Sequence, residues 1–283
     1  MNDGSIDILA VTYNRPHYTK LSLQRLLDTC DQSMRVWIWH NGNDAETLGV
    51  VRSLATHPRV HCFHHSPENK KLREPTNWLW KNSTGQYVCK LDDDCLLPSG
   101  WAQTLRAAHE ANPKLGVIGC WRFCPEDFRP DIAGTKIHEL AGGHRLLRNL
   151  WVDDSGFLMK RECIESIGLL RHDEWFDGRY CIRLAQAGWL IGWYYPFIMQ
   201  DHMDDPRSPN TGVKTDADVI RTAPLTAQRN GICTVAAWDE MLRRTALHLQ
   251  SAPLHIKYYT GWRRFAHRAA GRIKRTFGIK EQW

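Results

Sequence analysis

Over its first 120 residues the chain alternates between two hydrophobic periods, and this alternation restricts the fold more than any other feature. Residues 6–13, Ile-Asp-Ile-Leu-Ala-Val-Thr-Tyr, are a short and nearly unbroken apolar run. Such a run reads as a strand buried on both faces. Residues 18–30 then place Leu21, Leu23, Leu26 and Leu27 at helical spacing. The pattern recurs, with strands expected at 35–39, 59–63, 87–91 and 115–120. Helices are expected at 45–55, at 75–83, and from a Ser99 cap to 111. Strands separated by helices argue for a mostly parallel α/β sheet with helices on both faces. In such sheets ligands sit beyond the carboxyl ends of the strands. Tyr13, His40 and Asp92 all fall at such ends, so they are expected to face one crevice.

Beyond residue 120 the pattern is less regular. Gly142-Gly143 marks a loop. Strands are expected at 156–160 and 189–195, and helices at 161–167 and 178–187. Residues 203–230 are rich in Pro, Asn, Thr and Asp, which reads as a loop or mobile segment. A length of 283 residues suits one large α/β domain with an appended tail. The expected division is a domain over 1–202 (donor half 1–98, acceptor half 99–202), a loop and helical extension over 203–258, and a tail over 259–283.

The strand at 87–91 runs straight into Asp92-Asp93-Asp94. Three adjacent carboxylates repel one another, and a divalent cation removes that cost. Mg²⁺ takes one or two protein carboxylates and completes its shell with substrate phosphates and water. The run therefore suggests a metal that carries a phosphorylated ligand. Acidic residues in such turns also serve as caps or solvated charges, and both readings stand on the triplet alone.

Composition narrows the class. Hydrophobic residues make up 42%, enough for a substantial core. The nine Cys are odd in number and form no CxxC pair. That excludes a disulfide framework or zinc knuckle and favours a reducing cytoplasm. The polar start Met1-Asn-Asp-Gly-Ser does not read as a signal peptide. No run of 18 apolar residues offers a membrane span. Thirteen Trp supply core volume and flat surfaces that suit sugars. The net charge of +6 is localised. Residues 259–283 hold seven Lys/Arg and one Glu, leaving 30 basic and 30 acidic residues in 1–258.

Five segments together resemble the family 2 glycosyltransferases of GT-A fold. Ile8-Leu-Ala-Val-Thr-Tyr-Asn-Arg15 is similar to their opening strand. Trp37-Ile-Trp-His-Asn-Gly-Asn-Asp44 resembles the second strand and its turn. Residues 82–94, ending in the Asp run, resemble the segment that closes on the family's Asp-x-Asp motif. Residues 153–168 resemble the acceptor-side segment, and residues 176–189 the helix that begins Glu-Asp and runs to Arg and Gly. The resemblance covers roughly residues 6–202, and the segments occur in the family's order.

The resemblance implies a metal-dependent, inverting transfer of sugar from a nucleotide-diphospho-sugar to a hydroxyl of a glycan or lipid-linked saccharide. It places Thr12, Tyr13, Asn14 and Arg15 on the nucleotide, where a Tyr can pack on a base and an Arg can meet a phosphate. Asp92 and Asp93 would lie near the donor, and Arg73 could support its phosphates. Mn²⁺ or Mg²⁺ would be held by Asp94 with Asp92, and by His202 after the last strand. Asp177 would be the general base that takes the acceptor proton. It could equally cap its helix, and the two roles are compatible.

Two positions depart from the family pattern. His40 and Asn41 stand where the second strand usually ends in an Asp that reads the base. Phe176 replaces the Glu before the base, which makes Glu174 the rival carboxylate. A turnover-deficient GT-A scaffold remains an alternative on these grounds. A nucleotidyltransferase fits less well, because Thr12-Tyr-Asn-Arg-Pro16 is not a Gly-rich phosphate loop. In the tail, Trp262, Phe265, Ala266, Ala269, Ile273 and Phe277 fall on one helical arc and the Arg and Lys residues on the other. That pattern suits docking on an anionic membrane surface at the inner, cytoplasmic face, or packing on the domain. Nucleic acid is not expected as a partner, since the body offers no basic face.

Overall fold

The computed structural model describes residues 4–222 and 225–263. Its strands are β1 (Ile6–Tyr13), β2 (Met34–Asn41), β3 (Val60–Ser66), β4 (Tyr87–Asp92), β5 (Cys95–Leu96), β6 (Leu115–Gly119), β7 (Ile137–Glu139), β8 (Arg145–Asn149), β9 (Phe157–Lys160), β10 (Leu190–Tyr195) and β11 (Asp201–His202). The helices are α1 (Pro16–Thr29), α2 (Ala45–Leu54), α3 (Arg73–Asn82), α4 (Trp101–Ala111), α5 (Pro130–Ala133), α6 (Arg161–Ile167), α7 (Cys181–Gln186), α8 (Asp216–Thr222), α9 (Leu225–Arg229) and α10 (Val235–Ser251).

Nine strands form the main sheet in the order β3-β2-β1-β4-β9-β6-β10-β8-β7. β1 pairs in parallel with β2 and β4, β2 with β3, and β6 with β10. β9 runs antiparallel to both β4 and β6, and β8 antiparallel to β10 and β7. Seven strands therefore point one way, and β9 and β8 are reversed. This is the α/β architecture expected from the alternation.

Period-2 side-chain alternation divides the core between the two sheet faces. Leu9, Val11, Trp37 and Trp39 join the layer that includes Leu79 and Trp80 of α3. Ile8, Ala10, Val36 and Ile38 join the layer of Leu23 and Leu27 of α1 and Leu105 of α4. β1 is buried on both faces up to Thr12. Its one charge, Asp7, is fully buried but paired with Arg35 at 2.8 and 2.9 Å and bonded by Trp37 Nε1 at 2.8 Å.

Several local features differ from the expectation. The helix at α4 is entered through Gly100, at φ 76°, and not through a Ser99 cap. A left-handed residue at that corner favours glycine. Residues 176–180 form a π-helical turn before α7, where a plain helix was expected from 178. The 203–230 segment contains α8 and α9, and beyond it the 17-residue helix α10 packs Trp238 and Leu242 onto Val213, Val219 and Ala227. Of the basic tail, residues 264–283 lie outside the described residues, so the helical arcs drawn there are not described. No described helix is long and apolar enough to cross a membrane.

Candidate active site

Topology explains why the acidic groups meet. Parallel strands end where the reversed strand β9 begins. β9 lies between β4 and β6, so the residues just before it, Asp153 and Asp154, arrive beside Asp92 at the end of β4 and Arg122 beyond β6. Gly156 makes this entry possible. Its N–H donates to Lys90 O at 2.9 Å, its carbonyl accepts from Cys120 N at 2.8 Å, and its φ is +66°. A Cβ there would sit 1.9 Å from Gln200 Oε1. A second, two-stranded sheet pairs β11 with β5 so that His202 opposes Cys95. His202 thereby lies next to Asp94.

At the centre Asp94, His202 and Asp204 each offer a ligand atom, all within 4.8 Å of one another. Arg15 ties this group together. Its Nη2 donates to Asp93 Oδ1 at 2.8 Å and Asp94 Oδ2 at 2.9 Å, and its Nη1 to both oxygens of Asp204. Burial alone would raise the Asp94 pKa, but Arg15 overcomes it and holds the carboxylate well below its usual range. Burial raises Asp204, against the pull of Arg15. His202 is pushed down to about 4 by burial and by the neighbouring Arg122, so its imidazole is neutral.

Two carboxylates and a neutral imidazole fit a divalent cation of the Mn²⁺ type, and Mg²⁺ less well because of the nitrogen donor. One oxygen of Asp94 and both of Asp204 already accept from Arg15, so the guanidinium and a cation compete for the same carboxylates.

Across the crevice lies a second polar row. Lys90 is 1% exposed and donates to Asp92 Oδ1 at 2.6 Å, with Asp154 Oδ1 at 3.6 Å. A fully buried lysine needs such partners. Arg122 Nε donates to Asp153 Oδ1 at 2.9 Å, and its Nη1 lies 3.4 Å from His202 Nε2. Asp177 is open to solvent, yet the crevice walls around it and the Asp153 carboxylate raise its pKa, opposed by Arg122 and Lys90. The site thus places a carboxylate of raised basicity across from a cluster suited to a cation and phosphates.

The glycosyl transferase family 2 model matches residues 7–168, more than half of the chain. The chain belongs to glycosyl transferase family 2. It is therefore a glycosyltransferase. Among solved structures, a mannosyltransferase from Pyrobaculum calidifontis, in complex with GDP-Man and Mn²⁺, is similar at a TM-score of 0.54 and 18% identity. That likeness spans 98% of this chain and 81% of the other and shows a shared fold. No curated protein matches.

Within this family 2 glycosyltransferase the nominated residues fall into two groups. Tyr13, Arg15, Asp92, Asp94, His202 and Asp177 border the crevice. Tyr13 is 40% exposed, and its backbone N–H donates to Asp93 Oδ2 at 3.0 Å. Asn14 is exposed, with φ 49°. Asp93 also accepts from Thr19 Oγ1, so it ties the end of β1 to the acidic run.

The second group, apart from Arg73, is engaged inside the fold. Thr12 is 1% exposed and lies 2.8 Å from Nδ1 of the fully buried His40. His40 Nε2 has no partner, and burial together with His65 lowers its pKa to about 4. Asn41 Oδ1 accepts from Trp39 Nε1 and Lys70 N, both at 3.0 Å. Arg73 opens α3 and lines a surface cavity of about 280 Å³ with Trp39, Trp78 and Lys81. Glu174 is 5% exposed, bonded to Arg183 at 2.6 Å and to Arg171 N at 3.0 Å.

Asp177 is not the cap of its turn, since the N-cap position is Trp175. The π turn instead sends Phe176 inward, where it stacks on Phe157 at 4.0 Å, and leaves Asp177 facing out. Single-turn π insertions recur at functional sites. Asp204, Lys90, Arg122, Asp153 and Asp154 were not nominated from the sequence. No periodic signal could have found Asp204, because residues 203–205 turn back on His202.

Proposed function

We propose that this family 2 glycosyltransferase moves a sugar from a nucleotide-diphospho-sugar to a hydroxyl of a glycan or lipid-linked saccharide, with inversion at the anomeric carbon. The observation that carries this reading is the convergence of Asp94, His202 and Asp204 within 4.8 Å, with Asp177 across the same crevice. Mn²⁺ and GDP-Man in the structurally similar mannosyltransferase support a metal and a nucleotide-sugar donor.

In this reading Asp94, His202 and Asp204 hold the cation, Mn²⁺ or Mg²⁺. When bound, it would neutralise the developing charge of the leaving diphosphate. Arg15 binds the same phosphates by its fork of donors. Tyr13 packs on the base or ribose, and Asp92, oriented by Lys90, accepts from donor hydroxyls. Thr12, Asn14, His40, Asn41 and Asp93 shape the nucleotide pocket from behind, and Arg73 lies at its outer rim.

Asp177 accepts the proton of the acceptor hydroxyl as that oxygen attacks the anomeric carbon. The glycosidic bond to the diphosphate breaks as the new one forms, so one displacement inverts the centre. Glu174, held by Arg183, supports the turn that carries Asp177. Residues 259–283, with a charge of +6, bring the enzyme to the anionic cytoplasmic face of a membrane.

The test is a panel of nucleotide sugars with and without Mn²⁺, read as thermal stabilisation. A true donor at 100 times its dissociation constant adds about 2.7 kcal/mol. A panel in which no nucleotide sugar stabilises the protein, with or without metal, overturns the reading.

A further inference from the structure

The family match ends at residue 168, yet two of the three clustered ligand groups, His202 and Asp204, come later in the chain. They sit on a short loop that could point anywhere, so something must hold it. Four backbone groups at its centre are taken. Met203 N–H donates to Asp94 O at 2.7 Å, and Met203 O accepts from Tyr18 Oη at 2.7 Å. Asp205 N–H closes a turn onto His202 O at 2.8 Å. Asp204 O accepts from the indole Nε1 of Trp238 at 2.6 Å, and that indole is 3% exposed.

Trp238 belongs to α10. It is fixed there by Val213, Val219, Ala227 and Leu242. The next carboxylate along, Asp205, is bonded by Arg207 at 2.9 and 2.7 Å. The same guanidinium reaches Asp127 at 2.9 and 2.8 Å and lies 3.0 Å from Asp239 of α10. Arg243, one turn further along α10, lies 3.4 Å from Asp127 and 2.9 Å from Asp239. A helix far beyond the matched segment thus grips both sides of Asp204, through the Trp238 indole on its carbonyl and the Arg207 network on its neighbour.

We propose that α10 is a clamp for the cation-binding loop, and that Trp238 is the residue that sets the position of Asp204 relative to Asp94. This rests on the metal reading above. Groups that orient metal ligands from behind carry a large share of metal affinity, typically 10–100-fold when lost. The clamp acts through the Asp204 main chain, so removing the indole donor frees the loop without touching any ligand atom.

The experiment titrates Mn²⁺ into full-length wild type, Trp238→Phe and Leu242→Ala, reading free Mn²⁺ by its electron paramagnetic resonance signal, with thermal midpoints in parallel. Phe keeps an aromatic ring in the cluster and removes the N–H, at the loss of part of the indole's volume, for which Leu242→Ala controls. Leu242→Ala weakens the same cluster without contacting the loop. The expected result is about tenfold or greater loss of Mn²⁺ affinity in Trp238→Phe, and near wild-type affinity in Leu242→Ala despite its lower midpoint. Equal Mn²⁺ affinity in wild type and Trp238→Phe overturns the clamp and leaves the metal reading intact. Equal loss in both variants also overturns it, since general loosening would then account for the effect. Wild type that binds no Mn²⁺ overturns both.

Discussion

Arg15 and Asp204, 189 residues apart in the chain, are joined by two hydrogen bonds at 2.9 and 2.8 Å. The bond fastens the turn after β1 to the loop after the last strand. It places a fixed cation among carboxylates that would otherwise repel one another. Removing it should therefore weaken the fold as well as donor binding.

Arg15→Ala is expected to cost about 2 kcal/mol of stability. That is below the 3–5 kcal/mol typical of a broken buried pair, because a quarter of the Arg15 side chain remains in water. Mn²⁺ should restore more stability to the variant than it adds to wild type, since it takes over the same carboxylates. Urea unfolding with and without Mn²⁺ measures both effects. A variant as stable as wild type, or an equal Mn²⁺ increment in the two proteins, would contradict this account.

Asp94→Ala should remove Mn²⁺-dependent binding of nucleoside diphosphates and abolish transfer while leaving the fold intact. Calorimetric titration with and without Mn²⁺ is the direct check. Binding that is metal-independent in both proteins would rule out the role given to Asp94.

Asp177→Asn should keep donor binding and lose about a hundredfold or more in turnover, the usual scale for a positioned base. Glu174→Gln should act differently, lowering the thermal midpoint through its lost pair with Arg183 while sparing more of the turnover. If Glu174→Gln is the more damaging change to turnover in a folded protein, the base has been assigned to the wrong carboxylate.

The pH profile follows from the neighbours of Asp177. A base works ionised, and the crevice walls around Asp177 together with Asp153 raise its pKa. Activity should therefore fall on acidification at a pH above the ordinary carboxylate range. Asp153→Asn removes one of the raising charges, so the acid limb of kcat/KM should move to lower pH. An acid limb that stays put, or moves up, would detach it from Asp177.

Stability should also depend on pH through His40 and His202, both lowered to about 4 in the fold. The unfolded chain takes up a proton near pH 6.5 and the folded chain does not. Their contribution is thus complete above about pH 6.5 and is lost as pH falls towards 4, by about 1.4 kcal/mol per pH unit for each. Urea midpoints of metal-free protein between pH 4 and 7 test the slope, and His40→Asn should reduce it.

The N-terminal half was easy to read because β1, β2 and β4 are buried on both faces and its helices are amphipathic. Local pattern and tertiary burial agree there, from β1 to α4. Asp94 and His202 were legible because each follows a strand. Asp204 was not, because what aims it is Trp238, remote in sequence. Lys90 looked like an interruption of an apolar strand, and Asp92 together with Asp154, brought in just before β9, explains a buried lysine. The π turn at 176–180 left no periodic trace, since it inserts one residue into a helix. His40 and Asn41 were read as facing the donor because strand ends usually do. Their side chains instead bond to Thr12 and to the 70–71 loop.

The reversed strand β9 has a consequence for how the molecule is made. During synthesis β1 to β4 emerge first, and β4 gains its other neighbour only when residues 157–160 appear. Until then this six-residue strand presents an unpaired edge, the kind of surface that invites pairing with other chains. The nascent N-terminal part is therefore the vulnerable species, and the same insertion that brings Asp153 and Asp154 into the crevice is what closes it.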